Sequence, residues 1–337
     1  RNISIDLNWP EAREAALRLC QKTDVIVENF RPGTMKTFGL DYETVRQENP
    51  SVVYVSMSGY GQNTPWSTRP AFAPTVQAES GATQTQIDHF GNDLSRPVTD
   101  WASHADIYTG LEGAIAALAG LNKRNATGTG LHGDVSMMAT MLAVNERLHA
   151  QINELDAADE PLALGAPESP IFKVADGSLV TIAASPISSG VFMRYCGMMG
   201  RNDLRTDSRF LTASLRRENL NALLTEIQNW MRSFRSFEEL EHQVSGAGGL
   251  AVGKVRTAAN LLDTDWAQAA DPTYTSLVGD LEIRLPKGPW LFDGEDTGSL
   301  SAAAPKGANN REVLYEVGFD DATITDWEDA GILSADV

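Results

Sequence analysis

The chain has 337 residues, of which 42% are hydrophobic and 21% charged. That is the composition of a folded globular protein with room for one large or two ordinary domains. Its 45 acidic and 27 basic side chains give a formal net charge of −18, which argues against nucleic acid as a partner because a phosphate backbone calls for a basic face. No apolar run approaches the ~18 residues of a membrane span, and no secretory leader is legible at the start. The two cysteines, Cys20 and Cys196, are too few for a disulfide framework and fit buried thiols. We therefore expect a cytoplasmic protein with no membrane partner.

Residues 2–7 alternate like a strand, and Pro10-Glu11-Ala12 opens a helix running through Leu17 and Cys20. Residues 24–28 read as a short apolar strand followed by the turn Asn29-Phe30-Arg31-Pro32-Gly33. A second helix is expected from about Asp41 to Glu48, stopped by Asn49-Pro50. Residues 52–57 form a buried strand leading into Ser58-Gly59-Tyr60-Gly61-Gln62. Strands alternating with helices imply a parallel, doubly wound sheet with ligands at the carboxyl ends of its strands. From 105 to 121, apolar residues at Ile107, Leu111, Ile115, Leu118 and Leu121 recur at spacings of three and four, which predicts a helix burying that face. A strand near 132–136 and a long helix through Met141 and Leu148 follow.

Residues 151–168, acidic with Ala and Pro, read as a linker. Beyond it, residues 171–174, the turn Asp176-Gly177 and residues 179–183 predict a hairpin. It opens a second, α+β region with helices at 218–234 and 238–244. From about Asp280 a Pro- and Gly-rich tail is expected to hold a short helix near 311–317.

Gly128-Thr129-Gly130-Leu131-His132-Gly133 matches G-x-G-x-x-G. It follows a helix and enters a strand, the reverse of a dinucleotide site, and is rejected as one. His89, His104, His132, His149 and His242 lack metal-ligand spacing. His104 lies two residues from Asp106, but no third ligand accompanies them and no metal is expected. No nucleophile elbow, phosphate loop or C-x-x-C occurs. Asp106 falls where an N-cap belongs, and two readings stay open. It is an ordinary cap, or a carboxylate beside small residues, with Gly110 leaving room for a ligand, that serves as a nucleophile. The turn at 29–33 offers an amide, an aromatic face and a guanidinium, groups that suit adenine and phosphate. The turn at 58–62 is glycine-rich enough for close backbone approach. Both also read as plain turns.

These segments, taken in order, carry a resemblance. Val27-Glu28-Asn29-Phe30-Arg31-Pro32-Gly33, Phe38-Gly39-Leu40, Asn49-Pro50 and Ser56-Met57-Ser58-Gly59-Tyr60-Gly61-Gln62 are followed by Arg69-Pro70 and Gln77-Ala78-Glu79-Ser80-Gly81. Ala105-Asp106, Thr127-Gly128-Thr129-Gly130 and Ala175-Asp176-Gly177 complete the set. In order and spacing they resemble the class III CoA-transferases, a family that includes formyl-CoA and carnitine CoA-transferases and α-methylacyl-CoA racemases. The likeness runs from residue 1 to about 185 and more loosely to the end.

The resemblance implies a large Rossmann-like domain over 1–150, lacking the family's first strand-and-helix segment. It also implies a linker at 151–168, a small α+β domain over 169–279, and a segment 280–337 returning to the large domain. Two such chains would interlock as a homodimer. Asp106 would attack a donor thioester, pass through a mixed anhydride, hold CoA as an aspartyl thioester and deliver it to a carboxylic acid acceptor. The family's CoA contacts map onto Ile5, Asp6, Leu7, Asn8, Asn29, Phe30 and Arg31, with Phe72 near the thioester. Lys36 and Arg69 are phosphate partners on charge alone. The acyl-CoA and the acid are substrates, and no cofactor is expected.

Two departures narrow the activity. Where the racemases carry a histidine and a glutamate, this chain reads Phe72-Ala73 and Ala184-Ser185-Pro186. The glycine-rich loop of formyl-CoA transferase has no counterpart before Ser169-Pro170. The alternatives are an acyl-CoA isomerase or racemase using Asp106 as acid and base, and a non-catalytic partner subunit.

Overall fold

In the computed structural model, which describes residues 1–84, 87, 102–145, 152–153, 171–296 and 303–335, the chain forms two units. The first joins Arg1–Asn145 with Ser276–Glu282 and Ser299–Val337, and the second takes Glu146–Thr275 and Ile283–Gly298.

The first unit begins with a correction. Residues 2–7 alternate as a strand would, yet they form no strand and contribute one antiparallel bridge, Ile5 with Leu333. Side-chain amides take the place of a ladder: Asn309 and Asn310 accept from the N–H groups of Asn2 and Ser4, both at 2.8 Å. Pro10 then starts α1 (Pro10–Gln21), with Glu11 in its first turn and Arg18 in its last, as the helix dipole favours.

β1 (Val25–Glu28) leads through a one-turn helix α2 (Thr34–Thr37), which the sequence pattern is too short to show, to α3 (Tyr42–Glu48). Asp41 caps α3, accepting from Glu43 N at 3.1 Å. β2 (Val53–Ser58) is almost wholly buried because it is the middle strand. After α4 (Ala73–Glu79) and α5 (His104–Thr127), β3 (Leu131–Ser136) completes a parallel sheet in the order β1-β2-β3, and α6 (Met137–Ala143) follows. The register sets Glu28 opposite Ser56 and Ser58 opposite Ser136, so the chain leaves all three strands along one edge. The long helix expected through Leu148 is shorter: α6 ends at Ala143 with Val144 as its C-cap, and residues 146–148 lie outside the described residues.

α5 corrects the predicted burial. Its buried residues are Ala105, Thr109, Gly113 and Gly120, so the helix lies on the sheet by its small side. A Cβ on Gly113 would come within 2.6 Å of Met57 Sδ, and one on Gly120 within 2.5 Å of Val53 Cγ1. The stripe predicted to be inside points out: Ile107, Leu111, Ile115 and Leu118 are 53%, 53%, 56% and 66% exposed, and Leu121 is half-buried. Periodicity locates an apolar face but does not say whether a closer-packing face of glycines displaces it. Gly128 closes α5 in the left-handed conformation, its N–H reaching Arg124 O at 2.7 Å. The G-x-G-x-x-G run is thus a helix stop and a strand entry.

In the second unit, β4 (Ile171–Lys173) and β5 (Leu179–Ile182) form the expected antiparallel hairpin. The helices α7 (Ser189–Met199), α8 (Ala213–Glu218), α9 (Leu220–Met231) and α10 (Phe237–Glu241) follow. β6 (Val252–Lys254), three residues long and without a pattern of its own, adds to β5. The helix expected over 218–234 is α9, which starts two residues later and ends at Met231; Asn219, with φ −102° and ψ 25°, separates it from α8. Phe172, Val180, Ile182, Leu223, Ile227, Met231 and Leu240 form the core. Arg216 is buried in this unit, its guanidinium donating to Ile187 O, Phe210 O and Ser189 Oγ. It ties loops together and is structural. The linker proposed at 151–168 lies outside the described residues apart from Ile152 and Asn153.

The tail holds more structure than its composition suggests. α11 (Ala258–Leu262) and α12 (Asp265–Ala270) precede a hairpin of β7 (Thr273–Val278) and β8 (Leu281–Pro286). The short pair β9 (Leu291–Phe292) and β10 (Glu295–Asp296) comes next. α13 (Asn310–Glu316) and α14 (Asp321–Asp329) belong to the first unit, where Leu314, Val317, Ile324 and Trp327 bury Ala12 and Ala15 of α1. Among the described residues no helix is long and apolar enough to cross a membrane.

Candidate active site

The edge where the strands end is shaped by two turns. After β1, Glu28 is 9% exposed and its carboxylate accepts from Phe30 N at 2.9 Å. This folds Asn29, Phe30 and Arg31 outward. Gly33 closes the turn at φ +90°, a conformation other residues rarely adopt. After β2, Ser58 Oγ accepts from Gly61 N at 3.0 Å. Gly59 lies so near Ala71 that any Cβ would collide with it.

Between these turns and the start of α5 is a cavity of about 520 Å³. Asn29, Phe30, Arg31, Ser58, Gly59, Arg69, Phe72, Asp106, Thr109, Gly110 and Met137 are among its lining residues. Six of the residues singled out from the sequence thus meet at one place: Asn29, Phe30, Arg31, Arg69, Phe72 and Asp106. Phe72 is 71% exposed there.

Asp106 is not the cap. Ser103 holds that position without a side-chain hydrogen bond, and Asp106 is the third helical residue. Its carboxylate is exposed and, among the described residues, has no hydrogen-bonded or ionic partner. The helix N-terminus still favours an anion at this place. His104 does not share that face. Its ring stacks on Tyr108 at 5.4 Å between centroids, and two residues along a helix turn about 200°.

A second cavity of about 450 Å³ adjoins the first, sharing Arg31, Pro32 and Ser67. Lys36, Tyr42, Ser56, Gln62 and His132 line it, with Glu28, Asp41 and Glu43. His132 stacks on Tyr42 at 5.1 Å and sits 2.9 Å from Ser56 Oγ. Gln62 Nε2 is buried with no hydrogen-bond partner among the described residues, an unused donor beside this cavity.

Ile5, Asp6, Leu7 and Asn8 line neither cavity. Ile5 bridges to Leu333, Asp6 accepts from Asn8, and the carbonyls of Leu7 and Asn8 take the Arg13 guanidinium. Sequence reasoning gave Thr109, Tyr42 and His132 no place at this site, because they lie far apart in the chain and carry no spacing signal. Among the described residues no group of His, Cys, Asp or Glu could hold a metal ion.

The sequence profile of CoA-transferase family III matches residues 1–310. An acyl-CoA transferase of Fusarium pseudograminearum is 29% identical over 99% of this chain and 72% of its own length. The succinyl-CoA–D-citramalate CoA-transferase of Chloroflexus aurantiacus is 28% identical over 94% of this chain and 78% of its own. The crystal structure of a Mycobacterium tuberculosis protein described as a probable fatty acyl-CoA transferase superposes with a TM-score of 0.76 at 25% identity. That superposition covers 92% of this chain and 82% of the other. The chain belongs to CoA-transferase family III. It is an enzyme of that family, with the family's mixed α/β fold of parallel sheet and helices.

Proposed function

We propose that the chain transfers CoA from an acyl-CoA donor to a carboxylic acid through covalent intermediates on Asp106. The observation that carries this reading is a carboxylate with no partner among the described residues, facing the cavity where α5 begins and the turn at 29–33 ends. An Asp106 oxygen attacks the thioester carbonyl, the C–S bond breaks, and CoA thiolate leaves a mixed anhydride. The thiolate then attacks the aspartyl carbonyl, releasing the donor acid and forming an aspartyl-CoA thioester. The acceptor carboxylate attacks this thioester and expels CoA thiolate. Attack of that thiolate on the acceptor acyl carbon gives the new acyl-CoA and regenerates Asp106. Each displacement is made simpler by the covalent stage before it. No redox or metal step is needed.

The acyl end belongs in the cavity with Asp106, Phe72 and Arg69. The nucleotide end belongs toward the second cavity, where Arg31 and Lys36 supply charge, and Asn29 and Phe30, on the wall of the first cavity, offer an amide and a ring face on the way to it. The name of the Chloroflexus relative makes succinyl-CoA the first donor to try.

The second half of the reading is an interlocked homodimer, with the second unit as a small domain. The exposed stripe of Ile107, Leu111, Ile115 and Leu118 supports it, since such an apolar stripe marks an interaction surface. A reducing cytoplasm suits the free thiols of Cys20 and Cys196.

The test is isotope exchange. Acetyl-, propionyl- and succinyl-CoA are each incubated with their own labelled free acid, and label is sought in the thioester. Hydroxylamine added during turnover should trap Asp106, and Asp106→Ala should lose turnover by on the order of 10⁴ or more. Full exchange by the alanine variant sinks the reading.

A further inference from the structure

A helix mouth leaves its first N–H groups without intrahelical acceptors, and an acidic side chain at the third position ordinarily turns back to satisfy one of them. α5 begins without such local help. Ser103 makes no side-chain cap, and Asp106, in that third position, stays off the backbone. The acceptor comes instead from α4. The Ala105 N–H donates to Gln77 Oε1 at 3.2 Å, across 28 residues of sequence. Gln77 is 4% exposed and Ala105 fully buried, so the bond is made in the interior beside Val76. The carbonyl of Ala105 is tied as well, by Thr109 Oγ1 at 2.6 Å. Ala105 is the residue directly before Asp106.

We propose that Gln77 is the positioning residue of Asp106. Its amide oxygen satisfies the Ala105 N–H from another helix and so fixes the peptide between His104 and Ala105, while Thr109 holds the carbonyl of the next peptide, the one that leads into Asp106. This inference rests on the reading of Asp106 as nucleophile. A nucleophile displaced by about 1 Å loses on the order of 100-fold in rate, while substrate binding through the turn at 29–33, whose own bonds come from Glu28 and Arg31, is untouched. Gln77 itself meets no reacting atom.

Steady-state kinetics on the acyl-CoA and acid that exchange fastest test the proposal. Gln77→Met keeps the volume and removes the acceptor. Gln77→Asn keeps the amide but withdraws it by one methylene, with less risk to folding. Gln77→Glu keeps an acceptor in place. Gln77→Met and Gln77→Asn should lose kcat by roughly ten- to a hundredfold with KM for the acyl-CoA within about twofold. Gln77→Glu should recover kcat to within about threefold of the parent enzyme, since its oxygen still accepts the Ala105 N–H. Folded fraction is matched by circular dichroism, and Gln77→Asn with Gln77→Glu decide if Gln77→Met does not fold. A folded Gln77→Met or Gln77→Asn with undiminished kcat overturns the proposal, as does a Gln77→Glu variant no better than Gln77→Asn. An active Asp106→Ala variant would instead overturn the nucleophile reading, so the two failures are distinct.

Discussion

Glu79 holds the guanidinium of Arg69 at the wall of the cavity that Asp106 also lines. The guanidinium is further confined over the rings of Trp66 at 4.4 Å and Tyr60 at 5.0 Å. The Tyr60 hydroxyl donates to the other Glu79 oxygen at 2.7 Å. Burial, and then the bond to Glu79, push the Tyr60 hydroxyl up. The bond from Tyr60, and then that from Arg69, hold the Glu79 carboxyl below its usual 4.5. Arg69 is therefore a placed cation whose charge is already partly answered, whereas Arg31 and Lys36 have no ion pair among the described residues.

Replacing Glu79 by Gln should free Arg69 to move. KM for the acyl-CoA should rise roughly three- to tenfold, the scale of one ordinary hydrogen bond, with kcat little changed. The pH dependence has a definite sign. A carboxyl held low when folded stabilises the fold above its unfolded value and loses that contribution as pH falls through the folded value. Any advantage in melting temperature of the parent over Glu79→Gln should be present at neutral pH and vanish as the pH drops below the usual 4.5. An advantage that persists or grows in acid would contradict the assignment.

Gly120→Ala sets two effects against each other. Alanine favours a helix by about 1 kcal/mol over glycine, while overpacking a filled interior costs about 1–3 kcal/mol. The added Cβ would lie 2.5 Å from Val53 Cγ1, on a fully buried residue of the middle strand. Packing should win, and urea unfolding should show a net loss. Gly110→Ala, with nothing within 4 Å of the new carbon, should instead gain up to about 1 kcal/mol. Equal shifts for the two would refute the packing argument.

How much of this was legible follows from what each signal measures. The strand–helix alternation of residues 24–58 and 131–136 reads directly because period and turn residues agree, and the register then places the turns at 29–33 and 58–62 on one edge. Asp106 was legible as a residue at a helix mouth. Its exact position was not, because Ser103 and Asp106 are both acceptable caps and only geometry separates them. The outward face of α5 was misread because glycines add nothing to an apolar pattern, yet they permit the closest approach to β2. Gln77 could not be found at all from spacing, since its partner lies on another helix.

The exposed stripe on α5 carries its own test. Leu111→Glu and Ile115→Glu place charges on residues that contact little within this chain, 53% and 56% exposed. If a second copy covers them, sedimentation should show the parent as a dimer and the variants as monomers at micromolar concentration. The cost of burying an unpaired charge is several kcal/mol, enough to break such an association. Variants that sediment like the parent would remove α5 from the interface.

Arg31 is the charged residue among the three that line both cavities, and its substitution should separate binding from chemistry. Its backbone carbonyl helps form the turn, accepting from Thr34 N at 3.0 Å, while Glu28 secures the same turn through Phe30. Truncating the side chain therefore leaves the loop intact. Arg31→Ala should weaken CoA binding by about 1.5–3 kcal/mol, the range for hydrogen bonds to charged groups, measured by calorimetry at low salt. Lys36→Ala, which touches only the second cavity, should act in the same direction and also reduce the salt dependence of binding. Dephospho-CoA in place of CoA should narrow the gap between parent and variants if these cations meet the nucleotide phosphates. An Arg31→Ala variant that binds CoA as tightly as the parent would remove the nucleotide end from this site.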